Sequence, residues 1–152
     1  MAEKTRILVS ACLLGVRCRY DGGGKLLPDV SDLMENAELI PICPEVFGGL
    51  PTPRVPAERQ GDCVRMRDGT DVTAQFARGA QEASALAARF GARIAVLKER
   101  SPSCGAGEIY DGTFTGGKIP GDGMTAERLK AEGIEVYGES RMDELIQRLK
   151  EA

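Results

Sequence analysis

Residues 6–14 of the chain read RILVSACLL. This near-continuous apolar run is typical of a strand buried on both faces, and such strands belong to parallel sheets covered by helices. Two further segments read the same way. Residues 38–43 (ELIPIC) form one, with Pro41 placing it towards a sheet edge, and residues 93–98 (RIAVLK) form the other. A shorter strand is expected at 134–137.

Helical patterns fall between these strands. Residues 28–37 (PDVSDLMENA) have Pro in the first turn and acidic residues near the N-terminal dipole. Residues 71–90 carry Phe76, Ala80, Ala83, Ala87 and Phe90 at i, i+3/4 spacing, with Gly91 as a stop. The small residues Gly79, Ala80, Ala83 and Ala87 suit close packing of this helix on a sheet. Residues 124–132 have Thr125 near the start and Gly133 past the end. Residues 140–150 form an amphipathic helix, in which Ser140 and Asp143 resemble a capping box and Met142, Leu145, Ile146 and Leu149 make the buried stripe.

Residues 44–57 (PEVFGGLPTPRVPA) are too long and stiff for a mere connector and read as a functional loop. Residues 63–67 suit a small strand before an Asp68-Gly69 turn, and residues 108–123 a hairpin-like segment. The expectation is α/β: a single domain over residues 1–152, three-layered and Rossmann-like, with a mostly parallel sheet and helices on both faces.

Composition narrows the function. Apolar residues at 42% and charged residues at 28% are globular values. A net charge of −3 gives no general nucleic-acid face, so a tRNA partner is not indicated by charge, and only a local basic pocket would admit one. Trp is absent and aromatics are 5%, which argues against a base-stacking platform. No apolar run approaches the roughly 20 residues that span a bilayer. The stretch 7–9 is too short for a signal-peptide core of about 7–15 residues, so a cytoplasmic protein without a membrane role is expected.

The chain has five cysteines, at 12, 18, 43, 63 and 104, and no histidine. In a reducing compartment an odd set is no disulfide framework, so metal binding, catalysis or burial must explain it. Without imidazole, a metal must be held by thiolate or carboxylate. Cys12 lies near the end of the first strand, Cys43 ends the second, and Cys104 follows the third. Ligands of open parallel sheets bind beyond the carboxyl ends of strands, so these three converge. Three thiolates suit soft-metal chemistry, either zinc or an iron–sulfur cluster. Structural zinc normally takes four protein ligands, often from Cys-x-x-Cys knuckles, and none occurs here. Cys18 and Cys63 read as ordinary buried cysteines.

Glu45 follows Cys43 by two residues, and Ser101 precedes Cys104 by three. Both should face the same crevice, the carboxylate as acid/base and the hydroxyl as polar partner, although a solvated loop carboxylate and a turn serine are equally available readings. Gly105 and Gly107 would allow close backbone approach to a cluster or anion. Arg17, Arg19 and Arg54 are candidates for an anionic or carbonyl-bearing substrate, with a plain surface role as the alternative. Tyr20 and Tyr110 precede Asp-Gly and suit turns, or base contact. Arg19, Tyr20, Arg54, Ser103 and Tyr110 are carried forward as the substrate-binding set.

The segments SACLLGVRCRYDGG (10–23), LIPICPEVFGGLPTPRVPAE (39–58), DVTAQFARGAQEA (71–83) and LKERSPSCGAGEIYDGTFTGGKIPGDGMTAERL (97–129) resemble the thiouracil desulfidase (TudS) family of small iron–sulfur proteins. The resemblance implies that Cys12, Cys43 and Cys104 ligate a [4Fe–4S] cluster, with the fourth iron lacking a protein ligand. It also implies that Glu45 and Ser101 are catalytic. The implied activity is non-redox desulfidation of 2-thiouracil or 4-thiouracil-type compounds to uracil with release of sulfide, the partner being a thiolated pyrimidine or thionucleoside. A zinc or thiol-redox protein, and a non-catalytic iron–sulfur sensor module, are the rival readings.

Overall fold

A computed structural model describes residues 4–151. Its centre is a four-stranded, all-parallel sheet in the order β2 (Ala37–Ile42), β1 (Thr5–Ser10), β5 (Ile94–Leu97), β8 (Glu135–Gly138). Alternate residues of the central strands serve opposite faces. On one face Ile7, Val9, Ile94 and Val96 meet Leu33 of α1 (Val30–Asn36) and Leu145 and Ile146 of α5 (Met142–Glu151). On the other, Leu8, Ala95 and Leu97 meet Ala83 and Ala87 of α3 (Thr73–Phe90) and Ala126 and Leu129 of α4 (Met124–Ala131). The three-layer α/β expectation holds. β2 is an edge strand, as its proline requires.

Three smaller elements sit above the carboxyl ends of the strands. These are a single-turn helix, α2 (Pro44–Phe47), an antiparallel pair, β3 (Ala57–Gln60) with β4 (Cys63–Met66), and a second pair, β6 (Glu108–Tyr110) with β7 (Lys118–Pro120).

The structure corrects several local expectations. The first strand stops at Ser10, and Ala11–Leu14 turn as a 3-10 helix closed by Gly15 in the left-handed region at φ 91°. Strand and short helix look alike in an unbroken apolar run, because Ala11, Cys12 and Leu13 are all buried and no alternation distinguishes them. The loop 44–57 contains α2, and residues 57–60 form a strand. Phe90 is largely exposed rather than part of the buried stripe. Ser140 does not cap α5, since its hydroxyl donates to Glu99 Oε2.

Gly79 packs on α2 rather than on the sheet. A Cβ there would stand 1.9 Å from the Pro44 carbonyl oxygen, and one on Gly48 would stand 2.0 Å from that of Gln75. Reciprocal glycines therefore let α2 press directly on α3, which fixes the short helix that follows Cys43.

Candidate metal-cluster site

The strand ends are in register: Ser10 lies opposite Ile42, Val9 opposite Val96, and Leu97 opposite Gly138. The chain leaving β1 carries Cys12 in the 3-10 turn, where Gly15 and Lys25 donate backbone hydrogen bonds to its carbonyl at 3.1 and 2.7 Å. The chain leaving β2 carries Cys43 in extended conformation at the N-terminus of α2, and Glu45 in the first turn of that helix. The chain leaving β5 carries Ser101 and Cys104. All five residues line one cavity of about 440 Å³ over the crevice between the strand ends. The sheet reverses its direction of growth between β1 and β5, the place where open α/β sheets hold ligands.

Ser101 forms the turn that presents Cys104. Its Oγ accepts the backbone N–H groups of Ser103 and Cys104, each at 3.1 Å, while its carbonyl accepts from Gly105 at 2.9 Å. A hydroxyl has two acceptor lone pairs and one proton. Both lone pairs are engaged, so Ser101 can act in the cavity only as a donor. Ser101 therefore makes the turn and also lines the cavity.

Glu45 is held from one side. Arg54 Nη2 donates to its Oε2 at 3.0 Å, and among the described residues Oε1 has no hydrogen-bond partner. Ser10, buried at the end of β1, ties two strand ends together by accepting the Lys98 N–H at 2.9 Å.

Burial pushes the Cys12 thiol up to about 11, reinforced by Cys43 and opposed by Lys98 and Arg19. Burial likewise raises Cys104, with a smaller opposing contribution from the Ser10 hydrogen bond and reinforcement from Glu45, Cys12 and Cys43. These cysteines sense one another and Glu45 across the cavity. They stay protonated without a cation, and a bound metal centre would deprotonate them.

The remaining candidates divide. Arg19, Tyr20 and Tyr110 line the cavity, and the turns beside the two tyrosines are made by their neighbours: Asp21 accepts from Gly23, and Asp111 from Thr113. Ser103 is not a substrate contact. It is fully buried, its Oγ bonds Thr125 Oγ1 at 2.8 Å, and its carbonyl accepts the N–H groups of Thr125 and Ala126 in the first turn of α4. Arg54 lines the cavity, but its donors face protein groups. Gly105 packs against its own loop and does not line the cavity, since a Cβ there would meet Ser101 O at 2.8 Å. Arg17 is exposed and does not line the cavity, and Cys63 lies in β4 away from it.

Cys18 is different. It is buried in the cavity wall next to Cys43, whose Sγ is 3.9 Å from the Cys18 carbonyl oxygen. Burial, then Cys43, raise its thiol to about 12. Sequence spacing gave no signal for this, because Cys18 reaches the site by the return of a loop and not from a strand end.

Does the donor set fit a metal group? Thiolates bound to a single zinc at about 2.3 Å would lie roughly 4 Å apart. Among the described residues no three Cys, His, Asp or Glu side chains stand close enough to hold one ion. Three cysteines lining one cavity, in a chain with no histidine, are a donor set that fits a soft metal centre. Fold and site together define an α/β protein with a thiol-lined pocket at its sheet switch point.

The chain belongs to the 2-thiouracil desulfurase family, whose model matches residues 7–141. It is similar to the solved structure of the [4Fe-4S]-dependent thiouracil desulfidase TudS, with a TM-score of 0.92 and 48% identity, covering 98% of this chain and 100% of that one. An uncharacterized protein of Bacillus subtilis (strain 168), YbbK, is 39% identical over an alignment of 150 residues covering 92% of this chain and 99% of the relative. No helix among the described residues is long and apolar enough to cross a membrane.

Proposed function

We propose that this protein is a [4Fe–4S]-dependent thiouracil desulfidase in which Cys12, Cys43 and Cys104 hold the cluster and Glu45 and Ser101 act on the substrate. One observation carries the reading. Thiols from three neighbouring strand ends share one cavity with one half-held carboxylate and one donor-only hydroxyl. Family membership and the likeness to TudS support the same chemistry.

When bound, the cluster supplies a soft Lewis acid for the thiocarbonyl sulfur. The chain's own residues do the rest. The pyrimidine ring lies against the apolar wall that includes Val55, Met66 and Phe114, with Tyr20 and Tyr110 beside it and Arg19 at the rim. Ser101 Oγ donates a hydrogen bond to the ring substituent where negative charge develops. Glu45 Oε1 takes a proton from a water that attacks the thiocarbonyl carbon. That proton returns to sulfur as the C–S bond breaks, and the second proton of the water leaves the new C–O bond through Glu45 for the departing sulfide. Thiouracil and water thus give uracil and hydrogen sulfide, with no change in oxidation state and no external reductant.

The substrate is a thiolated base or thionucleoside, and the acidic chain offers no broad surface for tRNA. Five free cysteines are consistent with a reducing cytoplasm. The whole chain is read as one domain serving this one site.

The test is anaerobic cluster reconstitution followed by incubation with 2-thiouracil and 4-thiouracil, measuring sulfide and uracil together. Equal amounts of both products are expected. A coloured, iron-loaded protein that releases neither would make this a binding module. A colourless protein carrying zinc would make it a zinc protein.

A further inference from the structure

Arg54 is the most heavily engaged side chain of the cavity wall. Nη1 donates to the Pro51 carbonyl and to Thr52 Oγ1, both at 3.1 Å, and Nη2 donates to the Cys18 carbonyl and to Glu45 Oε2, both at 3.0 Å. Its backbone N–H donates to the Tyr20 carbonyl at 2.8 Å. The side chain of Arg54 is 3% exposed and that of Glu45 is 17% exposed. A guanidinium so placed has little left for a substrate. It joins three separate segments at one point: the loop after β1, the first turn of α2 and the proline-rich loop.

We infer that Arg54 is a positioning residue for the desulfidation reaction, acting through Glu45 and not on the substrate. It anchors Oε2, while Oε1, without a hydrogen-bond partner among the described residues, is left available to the cavity that Glu45 lines. It also locks the Cys18 carbonyl and the loop bearing Tyr20 against the same anchor, which couples the walls of the substrate pocket to the base. The planar, two-sided fork of guanidinium meets four acceptors at once; an ammonium is a point charge on a flexible stem and cannot match that geometry. This inference rests on the assignment of Glu45 as the base.

The test compares wild type, Arg54→Gln, Arg54→Lys, Glu45→Gln and the double variant Arg54→Gln/Glu45→Gln, each reconstituted anaerobically. Arg54→Gln is expected to load the same iron and show the same visible spectrum as wild type. Its kcat should fall about 100-fold, as expected for a displaced catalytic group, while KM for thiouracil changes less than about threefold. Arg54→Lys should lie between the two. The double variant should be no slower than Glu45→Gln alone, because both changes remove one function.

In the cluster-free protein, Arg54→Gln should speed proteolytic cleavage within residues 51–56, a readout independent of turnover. If Arg54→Gln fails to load iron, Arg54→Lys and Arg54→Lys/Glu45→Gln provide the same kinetic comparison. Multiplying losses in the double variant, a rise in KM with kcat preserved, or unchanged cleavage of the loop would each overturn the inference. Inactive wild type or a fully active Glu45→Gln would instead sink the functional reading beneath it.

Discussion

Ser101 reaches the cavity with both lone pairs taken by backbone N–H groups, so its replacement has two separable consequences. Ser101→Ala strands two part-buried donors, which costs about 1–3 kcal/mol of stability, and removes the only proton the side chain can offer. Ser101→Thr keeps the hydroxyl and should preserve fold and cluster. Denaturant titration beside a sulfide-release assay separates the two effects. Glu45→Gln should keep the cluster colour, because the carboxamide oxygen still accepts from Arg54. Its turnover should drop by roughly 10²- to 10⁴-fold, the usual worth of a general base. Cys18→Ala should retain the iron content of wild type, whereas Cys12→Ala, Cys43→Ala and Cys104→Ala should each lose it; iron analysis decides.

At this scale the meeting of Cys12, Cys43, Cys104, Glu45 and Ser101 in one cavity was legible because each lies at or beyond the carboxyl end of a parallel strand, even though the pattern ran the first strand past its true end at Ser10. Ser103 was misread because neighbouring residues in a turn point opposite ways, and nothing in the spacing says which side faces the cavity. Arg54 was found, but its partners were not, since loop closure sets them. Ser10 was a missed signal: a lone hydroxyl in an apolar run has to find a buried partner, and it found the N–H of Lys98.

Among the elements, α2 matters most and was least visible. A single turn has too few residues for periodicity to register, and its proline start reads as loop. Its place is set by the glycine contact with α3. Gly79→Ala would gain up to about 1 kcal/mol from helix propensity. The new Cβ, however, would stand 1.9 Å from a backbone oxygen, and overpacking of that kind costs about 1–3 kcal/mol or more. The clash wins. The variant is expected to be net destabilised by urea titration and to hold iron poorly, because Cys43 and Glu45 move with α2. Unchanged stability would mean that α2 is not fixed by this contact. The long elements were legible because burial on both faces makes a parallel strand a continuous apolar run, while burial on one face writes a period of 3.6 into a helix. The 3-10 turn after β1 was not, because every residue there except Leu14 is buried.

For the molecule as a whole, the cavity stores protonated thiols in the absence of metal. Cys12 is raised from 9.0 to about 11 and Cys18 from 9.0 to about 12, with Cys104 moved the same way. The unfolded chain ionises these thiols near 9 and the folded chain does not. Their contribution is therefore complete below about pH 9 and is lost as pH rises towards 11. Urea midpoints of the cluster-free protein should be level from neutral pH to about 9 and decline above it; a midpoint that climbs in that window would contradict the burial of these thiols. The α/β class was legible from the order of strands and helices, and so was the convergence of three cysteines, because parallel topology gathers strand ends together. The depth of the pocket was not, since it depends on β3, β4, β6 and β7 folding over the crevice.

The most direct measurement is an anaerobic crystal structure of the reconstituted protein with anomalous data collected at the iron edge. It should show one four-iron cage bonded to the sulfurs of Cys12, Cys43 and Cys104, with the remaining iron facing Glu45 and Ser101 and no side chain attached to it. A lone zinc, or Cys18 bonded as a fourth ligand, would contradict it.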